Sequence, residues 1–171
     1  SKSNIFVGNG SDEILAFIFL ALLKKEAPVL FPDITYSFYP AYCSLYDIEY
    51  TRIPLDKKFN INLKDYLINN GGIIFPNPNA PTGIPKKIVD IENLLKLNQE
   101  SVVVVDEAYV DFGTDSAITL LNKYKNLVIT QSFSKSRSLA GMRLGCAFAD
   151  ENLINALNRV KNSFNSYPID R

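Results

Sequence analysis

The residue whose surroundings most suggest chemistry is Lys135, which ends the segment Ser132-Phe133-Ser134-Lys135. A lysine on its own is normally a solvated surface residue. Here two hydroxyls flank it, and Arg143 follows in the same segment, so an arginine and a nearby helix N-terminus could both bind a phosphate close to the amine. The pattern therefore predicts an amine placed beside a bound anion.

A second candidate is Asp106, which follows four consecutive valines, residues 102–105. Such a β-branched run is typical of a strand buried on both faces, so the carboxylate is expected to emerge at the end of a buried strand. Burying that charge is costly unless a cation meets it. Two partners would serve: an arginine or lysine in a stabilising ion pair, or the protonated nitrogen of a bound heterocycle such as a pyridinium.

Two further segments have the composition of ligand-binding loops. Residues 8–11, Gly-Asn-Gly-Ser, join a predicted strand to a predicted helix, where backbone N–H groups and the helix dipole attract an anion. The full G-x-G-x-x-G spacing is missing, because Glu13 stands where the third glycine would be, and no P-loop is present. Residues 77–83, NPNAPTG, are too rich in proline for a strand or helix interior, so they form either an ordinary turn or the wall of a ligand site.

Composition excludes several classes of function. Histidine is absent from the 171 residues, which excludes Ser-His-Asp and Cys-His catalysis and histidine-based metal sites. The 18 basic and 18 acidic residues cancel, which argues against nucleic acid or an anionic membrane as the partner. Cys43 and Cys146 lack metal-binding spacing, so no metal site is predicted. The apolar run 14–23 is too short to cross a bilayer and no signal peptide is recognisable, so we expect a cytoplasmic protein.

Strands and helices alternate along the chain. Strands are predicted at residues 5–7, 29–31, 48–53, 73–75, 102–105, 127–131 and 144–149. Helices are predicted at residues 11–25, 37–46, 62–68, 85–97 and 151–162, with Ser11 and Asn62 as N-caps and Pro85 in a first turn. This alternation predicts an α/β fold, a three-layer, mostly parallel sheet flanked by helices. Ligands of such sheets bind at the carboxyl ends of the strands, where the polar clusters fall.

Six segments, taken in order, resemble the fold-type-I aminotransferases that use pyridoxal 5'-phosphate, and among them the histidinol-phosphate aminotransferase family. They are GNGSDEIL (8–15), TYSFY (35–39), NPNAPTG (77–83), VVVVDEAYVDF (102–112), SFSKSRSLAGMRLG (132–145) and SFNSYPIDR (163–171). The resemblance runs the whole length of the chain. It implies that residues 1–171 form the large, cofactor-binding domain of a longer protein, whose N-terminal arm and C-terminal small domain are absent from this chain.

The resemblance also implies catalytic roles. Lys135 would hold pyridoxal 5'-phosphate as a Schiff base and then move a proton between the substrate and the cofactor. Asp106 would pair with the pyridinium nitrogen and keep it protonated. Tyr109 would donate a hydrogen bond to the phenolate oxygen of the cofactor.

The cofactor-binding residues follow from the same resemblance. Tyr36 would stack on the ring. The phosphate would be held largely by backbone N–H groups and by side chains of Gly10, Ser11, Asp12, Ser132, Ser134 and Arg143, with the Asp12 carboxylate turned away from it. Ala80 stands where the family usually has an asparagine that donates to the phenolate oxygen. Either Tyr109 makes that contact alone, or Asn79 shifts to replace the missing residue.

The activity that the resemblance implies is amino-group exchange between histidinol phosphate and 2-oxoglutarate in histidine biosynthesis, by a homodimer whose subunits share the active site. The partners would be a small-molecule amino donor and a 2-oxo acid, and the piece alone is expected to be inactive. Three alternatives stay open: a pyridoxal-phosphate decarboxylase of the threonine-phosphate type, a Rossmann-like module that binds a nucleotide without chemistry, and a degenerate scaffold. The last would require the loss of Lys135 or Asp106, and both are present.

Overall fold

The computed structural model describes residues 1–23 and 26–161. Within them the strands form one sheet: β1 (Ile5–Asn9), β2 (Val29–Pro32), β3 (Tyr50–Ile53), β4 (Gly72–Pro76), β5 (Val103–Asp106), β6 (Leu127–Ser132) and β7 (Leu144–Ala149). The α-helices are α1 (Ser11–Ala21), α2 (Tyr39–Tyr46), α3 (Ile88–Leu97) and α4 (Glu151–Val160). No helix in these ranges is both long enough and apolar enough to cross a membrane.

The sheet is mixed but mostly parallel, which confirms the predicted α/β class. Its strand order is β1-β7-β6-β5-β4-β2-β3. The strands β2 to β6 pair in parallel, whereas β7 runs antiparallel to both of its neighbours, β1 and β6. Parallel neighbours need a long crossover, but the short segment 133–143 turns the chain straight back, so β7 must run antiparallel to β6. All the other strands therefore point the same way.

Two hydrophobic cores lie on opposite faces of the sheet. Because side chains alternate along a strand, Val104 belongs to one core while Val103 and Val105 belong to the other. The first core is closed by α1, α2 and α4, and the second by α3 and the 3₁₀ segments Leu63–Tyr66 and Ala117–Leu120. These helices on both faces make the three layers, and every residue of the central strands β2, β4, β5 and β6 is buried.

The predicted N-cap of the first helix is wrong. Ser11 is the first helical residue, and Gly10 is the N-cap, with φ +84° and no side-chain capping hydrogen bond. Glu13 reaches back instead and accepts a hydrogen bond from the backbone N–H of Asn9 at 2.7 Å. The helix ends at Ala21, earlier than predicted.

Other predicted boundaries also move. Helix α3 begins at Ile88, so Pro85 lies in the extended segment before the helix rather than in its first turn. Residues 63–66 form only a 3₁₀ turn, and the Asn62 amide donates to the Asp65 carboxylate instead of capping. Helix α2 begins at Tyr39 rather than at residue 37.

The strand predicted at residues 48–53 is shorter and more exposed than expected. It is Tyr50–Ile53, the sheet edge, and only Ile53 is buried within it. The period-two pattern fails within the strand, because Arg52 follows Tyr50 on one face and the buried Ile53 lies on the other.

Candidate active site

The strands β1, β4, β5 and β6 end at the same edge of the sheet, and a cavity of about 150 Å³ opens there. The predicted site residues that line it are Ser11, Asp12, Tyr36, Asp106, Tyr109, Ser132, Ser134, Lys135 and Arg143. Leu15, Pro76, Ala80 and Ala108 complete the wall. Segments far apart in the sequence are therefore brought to one cavity by the shared direction of these strands.

Asp106, at the end of β5, is the most buried charged group of the cavity, with 5% of its surface exposed. Its Oδ1 accepts hydrogen bonds from Thr130 Oγ1 at 2.9 Å and from the Ala108 N–H at 3.3 Å. Its Oδ2 accepts from Tyr39 Oη at 2.9 Å. All three donors are neutral, and none of the ion pairs formed within residues 1–23 and 26–161 includes Asp106.

Burial raises the pKa of Asp106 above its ordinary value, and the hydrogen bonds from Thr130 and Tyr39 oppose that shift without cancelling it. The carboxylate thus lacks the cation that would stabilise its charge. The arginine or lysine partner allowed by the sequence is not found in the described part of the chain. A cationic group bound in the cavity would supply what is missing.

Tyr39 and Thr130 donate hydrogen bonds to Asp106, and sequence reasoning did not single them out for this contact. Tyr39 is fully buried at the start of α2, and burial, followed by the charge of Asp106, raises the pKa of its hydroxyl well above the ordinary value. Thr130 is the residue of β6 that lies directly across from Asp106 in the sheet. Only the strand order and register could have revealed that pairing.

The start of α1 forms a cradle for an anion. A Cβ atom on Gly10 would lie 2.5 Å from Arg143 Nη2, and one on Gly145 would lie 2.6 Å from the Ser11 backbone nitrogen. The two glycines therefore let Arg143 and β7 approach the first turn of the helix. N–H groups of a first helical turn have no intrahelical partner, so those of Ser11 and Asp12 are available to an anion such as phosphate.

Arg143 completes this cradle from the opposite side. Its Nη1 donates weakly to Ser134 Oγ at 3.5 Å and to the Ala140 carbonyl at 3.4 Å. Its Nη2 lies 3.9 Å from the Asp12 carboxylate, which also accepts from Tyr36 Oη at 2.8 Å. The Asp12 carboxylate thus faces the guanidinium of Arg143. A bound phosphate would compete with it for Arg143.

The Lys135 amine lies beside the ring of Tyr109. Its Nζ lies 5.4 Å from the centre of the Tyr109 ring, a cation–π contact. Within the described residues its side chain makes no hydrogen bond or ion pair, although it lines the same cavity as Asp106. The amine can therefore reach a ligand without first breaking a strong interaction.

Asn79 is not brought to the cavity. Its Nδ2 donates to the Ile34 carbonyl at 3.0 Å and to Thr82 Oγ1 at 3.1 Å, and its Oδ1 accepts from Thr35 Oγ1 at 3.1 Å. Both ends of the Asn79 amide are thus engaged away from the cavity, whereas Ala80 lines it. The final resembling segment, residues 163–171, lies outside the described residues.

Comparison with known proteins identifies the family of the chain. The family description of class I and II aminotransferases matches residues 1–169, and the chain belongs to this family. It is 62% identical over 172 residues to histidinol-phosphate aminotransferase 2 of Dechloromonas aromatica, an alignment that covers 100% of this chain and 48% of that protein. The chain therefore spans about half the length of the curated relatives it matches.

Solved structures agree on the fold. A histidinol-phosphate aminotransferase from Sinorhizobium meliloti in complex with pyridoxal-5'-phosphate superposes with a TM-score of 0.90 at 23% identity, over 99% of this chain and 48% of that one. An L-threonine-O-3-phosphate decarboxylase from Porphyromonas gingivalis superposes with a TM-score of 0.83, also at 23% identity, over 99% and 55%. At such identities the likeness concerns the fold alone.

Removing the Tyr39 hydroxyl tests the support of the buried carboxylate. We expect Tyr39→Phe to lower the free energy of unfolding of the full-length protein by about 1–3 kcal/mol at pH 7, because Asp106 loses a buried donor. The matched control is Tyr66→Phe, since the buried Tyr66 hydroxyl has no hydrogen-bond partner among the described residues. Urea unfolding measures both; equal losses in the two variants would contradict the prediction.

A methyl group on Gly145 tests the close approach of β7 to α1. Gly145→Ala should destabilise the full-length protein by about 1–3 kcal/mol, because the new Cβ would overlap the backbone of residues 10 and 11. Gly141→Ala serves as control, since a Cβ there would meet no atom within 4 Å. Thermal unfolding of both variants checks the prediction, and an unchanged midpoint for Gly145→Ala would refute it.

Proposed function

We propose that the protein containing this chain is a pyridoxal-phosphate-dependent aminotransferase, and that it exchanges an amino group between histidinol phosphate and 2-oxoglutarate in histidine biosynthesis. The observation that carries the proposal is the meeting, in one cavity, of a buried carboxylate without a cation, a free amine and an anion cradle. The 62% identity to a histidinol-phosphate aminotransferase supports the substrate. This chain would be the large, cofactor-binding domain of that protein.

The residues of the cavity fit pyridoxal 5'-phosphate in their chemistry. The cofactor carries a basic ring nitrogen, an aldehyde and a phosphate, and the cavity offers an acceptor for a cation, an amine and free N–H donors with an arginine. When bound, the cofactor supplies an aldehyde that condenses with amines and a ring that withdraws electrons from the substrate.

Asp106 would hold the proton on the ring nitrogen. Its charge is poorly stabilised by the protein alone, so a pyridinium would form with it the ion pair that burial otherwise makes costly. Thr130 and Tyr39 would fix the orientation of the two carboxylate oxygens. Thr130 and Tyr39 would therefore act by orienting Asp106, and they would not contact the reacting atoms.

Lys135 would act twice. It would hold the cofactor covalently through its Nζ, and after its release by the incoming amino group it would act as the base that moves the substrate's proton. Tyr109, whose ring lies beside this amine, would donate its hydroxyl proton to the phenolate oxygen. Because Asn79 is engaged elsewhere and Ala80 has no donor, Tyr109 would carry that contact alone.

The phosphate would lie in the cradle at the start of α1. Its donors would be the backbone N–H groups after Gly10, those of Ser11 and Asp12, together with Ser132, Ser134 and Arg143. To bind there, the phosphate would take Arg143 from the Asp12 carboxylate. Tyr36 would stack on the ring while its hydroxyl stays on Asp12.

Two properties of the full-length protein are proposed from the family resemblance. It would work as a homodimer, because the family builds its active site between subunits, and it would reside in the cytoplasm. A decarboxylase of the threonine-phosphate type shares the fold, but no residue of this cavity favours it over a transaminase.

Chemical labelling tests the central role. The full-length protein is incubated with pyridoxal 5'-phosphate, reduced with borohydride and digested, and the modified peptide is identified by mass spectrometry. We expect the label on Lys135, and none in the Lys135→Arg variant. A label on a different lysine in the wild-type protein would overturn the assignment.

An activity assay tests the reaction and its substrate. With histidinol phosphate and 2-oxoglutarate, the full-length protein should form glutamate, whereas threonine phosphate should release no CO₂. The opposite pattern would select the decarboxylase. Lys135→Arg is the control, and we expect it to abolish turnover because arginine cannot exchange its proton at neutral pH.

Placing an asparagine at position 80 tests whether Tyr109 is the sole donor to the phenolate oxygen of the cofactor. We expect Ala80→Asn to lower the pH midpoint at which the bound cofactor changes its visible absorption, because a second donor stabilises the phenolate. Tyr109→Phe should raise that midpoint, and the double variant should fall between the two. A midpoint unaffected by Tyr109→Phe would show that its hydroxyl makes no such contact.

A further inference from the structure

The loop that carries Lys135 is closed by hydrogen bonds of its own backbone. The Leu139 N–H donates to the Phe133 carbonyl at 2.9 Å, and the Ser138 N–H donates to the Lys135 carbonyl at 3.0 Å. The Lys135 side chain itself makes no hydrogen bond within the described ranges. The position of its amine is therefore decided by how the loop 133–139 is fastened to the rest of the protein.

Asp111 fastens this loop to the loop that carries Tyr109. Its carboxylate accepts hydrogen bonds from the Ser136 hydroxyl and from Arg137 Nε, the latter at 3.1 Å. These two donors are the residues directly after Lys135, while Asp111 lies two residues after Tyr109. One carboxylate thus joins the two loops that contribute the amine and the phenol.

Arg137 makes a second connection on the other side. Its Nη2 donates to Gln131 Oε1 at 2.9 Å, and Gln131 Nε2 donates to Glu107 Oε2 at 2.9 Å. Glu107, 1% exposed, also accepts from the Ser116 hydroxyl at 2.7 Å and from the Ala117 N–H at 2.6 Å. The buried glutamate therefore closes the loop 107–117 on itself and ties it to β6.

This network faces away from the cavity. Asp106 and Thr130 share one face of the sheet with Val104, whereas Glu107 and Gln131, one residue further along each strand, point to the opposite face. None of Glu107, Gln131 or Asp111 lines the cavity. Their effect on the amine must pass through the backbone of the two loops.

We propose that Glu107, Gln131, Arg137 and Asp111 are positioning residues that hold the amine of Lys135 in register with Tyr109 and Asp106. The proposal rests on the cofactor role proposed for Lys135. An arginine suits position 137 because its planar guanidinium donates to Asp111 and Gln131 at the same time. The single ammonium group of a lysine would do this less well.

The test uses Asp111→Ala, Arg137→Met and the double variant of the full-length protein. We expect each single variant to slow the attachment of pyridoxal 5'-phosphate at Lys135, trapped by borohydride, about tenfold or more, because small displacements of a reacting group are costly. The double variant should be no slower than the worse single one, because the two residues act as a unit. Arg137→Lys should recover part of the rate.

The matched control is Glu92→Gln on α3. Glu92 lies 3.7 Å from both Lys96 Nζ and Lys123 Nζ, and no residue of that helix lines the cavity. This variant should keep the wild-type labelling rate. If Asp111→Ala and Arg137→Met lower thermal stability but leave the labelling rate and the pH midpoint of the bound cofactor unchanged, the network is merely structural and the proposal fails.

Hydrogen exchange of the protein without cofactor separates this proposal from the cofactor role. Removing Asp111 should speed exchange of the Ser138 and Leu139 amides within the loop 133–139, because that loop loses its attachment to the loop of Tyr109, whereas Glu92→Gln should not. Unchanged exchange would overturn the proposed link between the loops. If the wild-type protein never attaches the cofactor at Lys135, the proposed function fails instead, and the exchange result still decides whether the loops are linked.

Discussion

The arrangement of the site depends on a carboxylate that is buried without a cation. Asp106 ends the central strand β5, and the hydrogen-bond partners of its carboxylate among the described residues are a threonine, a tyrosine and a backbone N–H. Neutral donors orient a charge but repay only part of its desolvation. A positively charged group bound in the cavity beside it would supply the interaction that the described residues do not provide.

The single antiparallel strand explains how the remaining groups reach that carboxylate. Because the chain turns back between β6 and β7, one short excursion carries Ser134, Lys135 and Arg143 to the cavity. The second residue of the return strand is Gly145, whose lack of a side chain lets the strand lie against the first turn of α1. An amine and an anion cradle are thus placed by the same reversal of the chain.

Local patterns in the sequence were enough to find the charged residues of the site. The valine run located Asp106, and the serine-flanked segment located Lys135, because both signals lie within a few residues of the chain. Tyr39 and Thr130 could not be found in this way, since their role depends on which strand lies beside β5 and in what register. The class of fold followed from the alternation of strands and helices, but the reversed direction of β7 did not.

The errors have the same origin. Serine is a typical N-cap residue, so Ser11 was a reasonable prediction. The N-cap is instead Gly10, which has a positive φ and lies too close to the Arg143 side chain to carry a Cβ atom. Asn79 looks like a cofactor donor by its position beside Ala80. It is instead used to join two loops, through contacts with Ile34 and Thr35 some forty-five residues earlier. Tertiary contacts, rather than local sequence propensities, thus determine the N-cap of α1 and the partners of Asn79.

The neighbouring carboxylates Asp106 and Glu107 have different hydrogen-bond partners because they lie on opposite sides of the sheet. Consecutive residues of a strand point to opposite faces, so the two side chains enter different layers although they are adjacent in the chain. Burial raises the pKa of both, but Glu107 is linked through Gln131 to Arg137, whereas Asp106 has no such link. Arg137, on the other side of the sheet, forms its ion pair with Asp111, and none of the ion pairs of the described residues reaches Asp106.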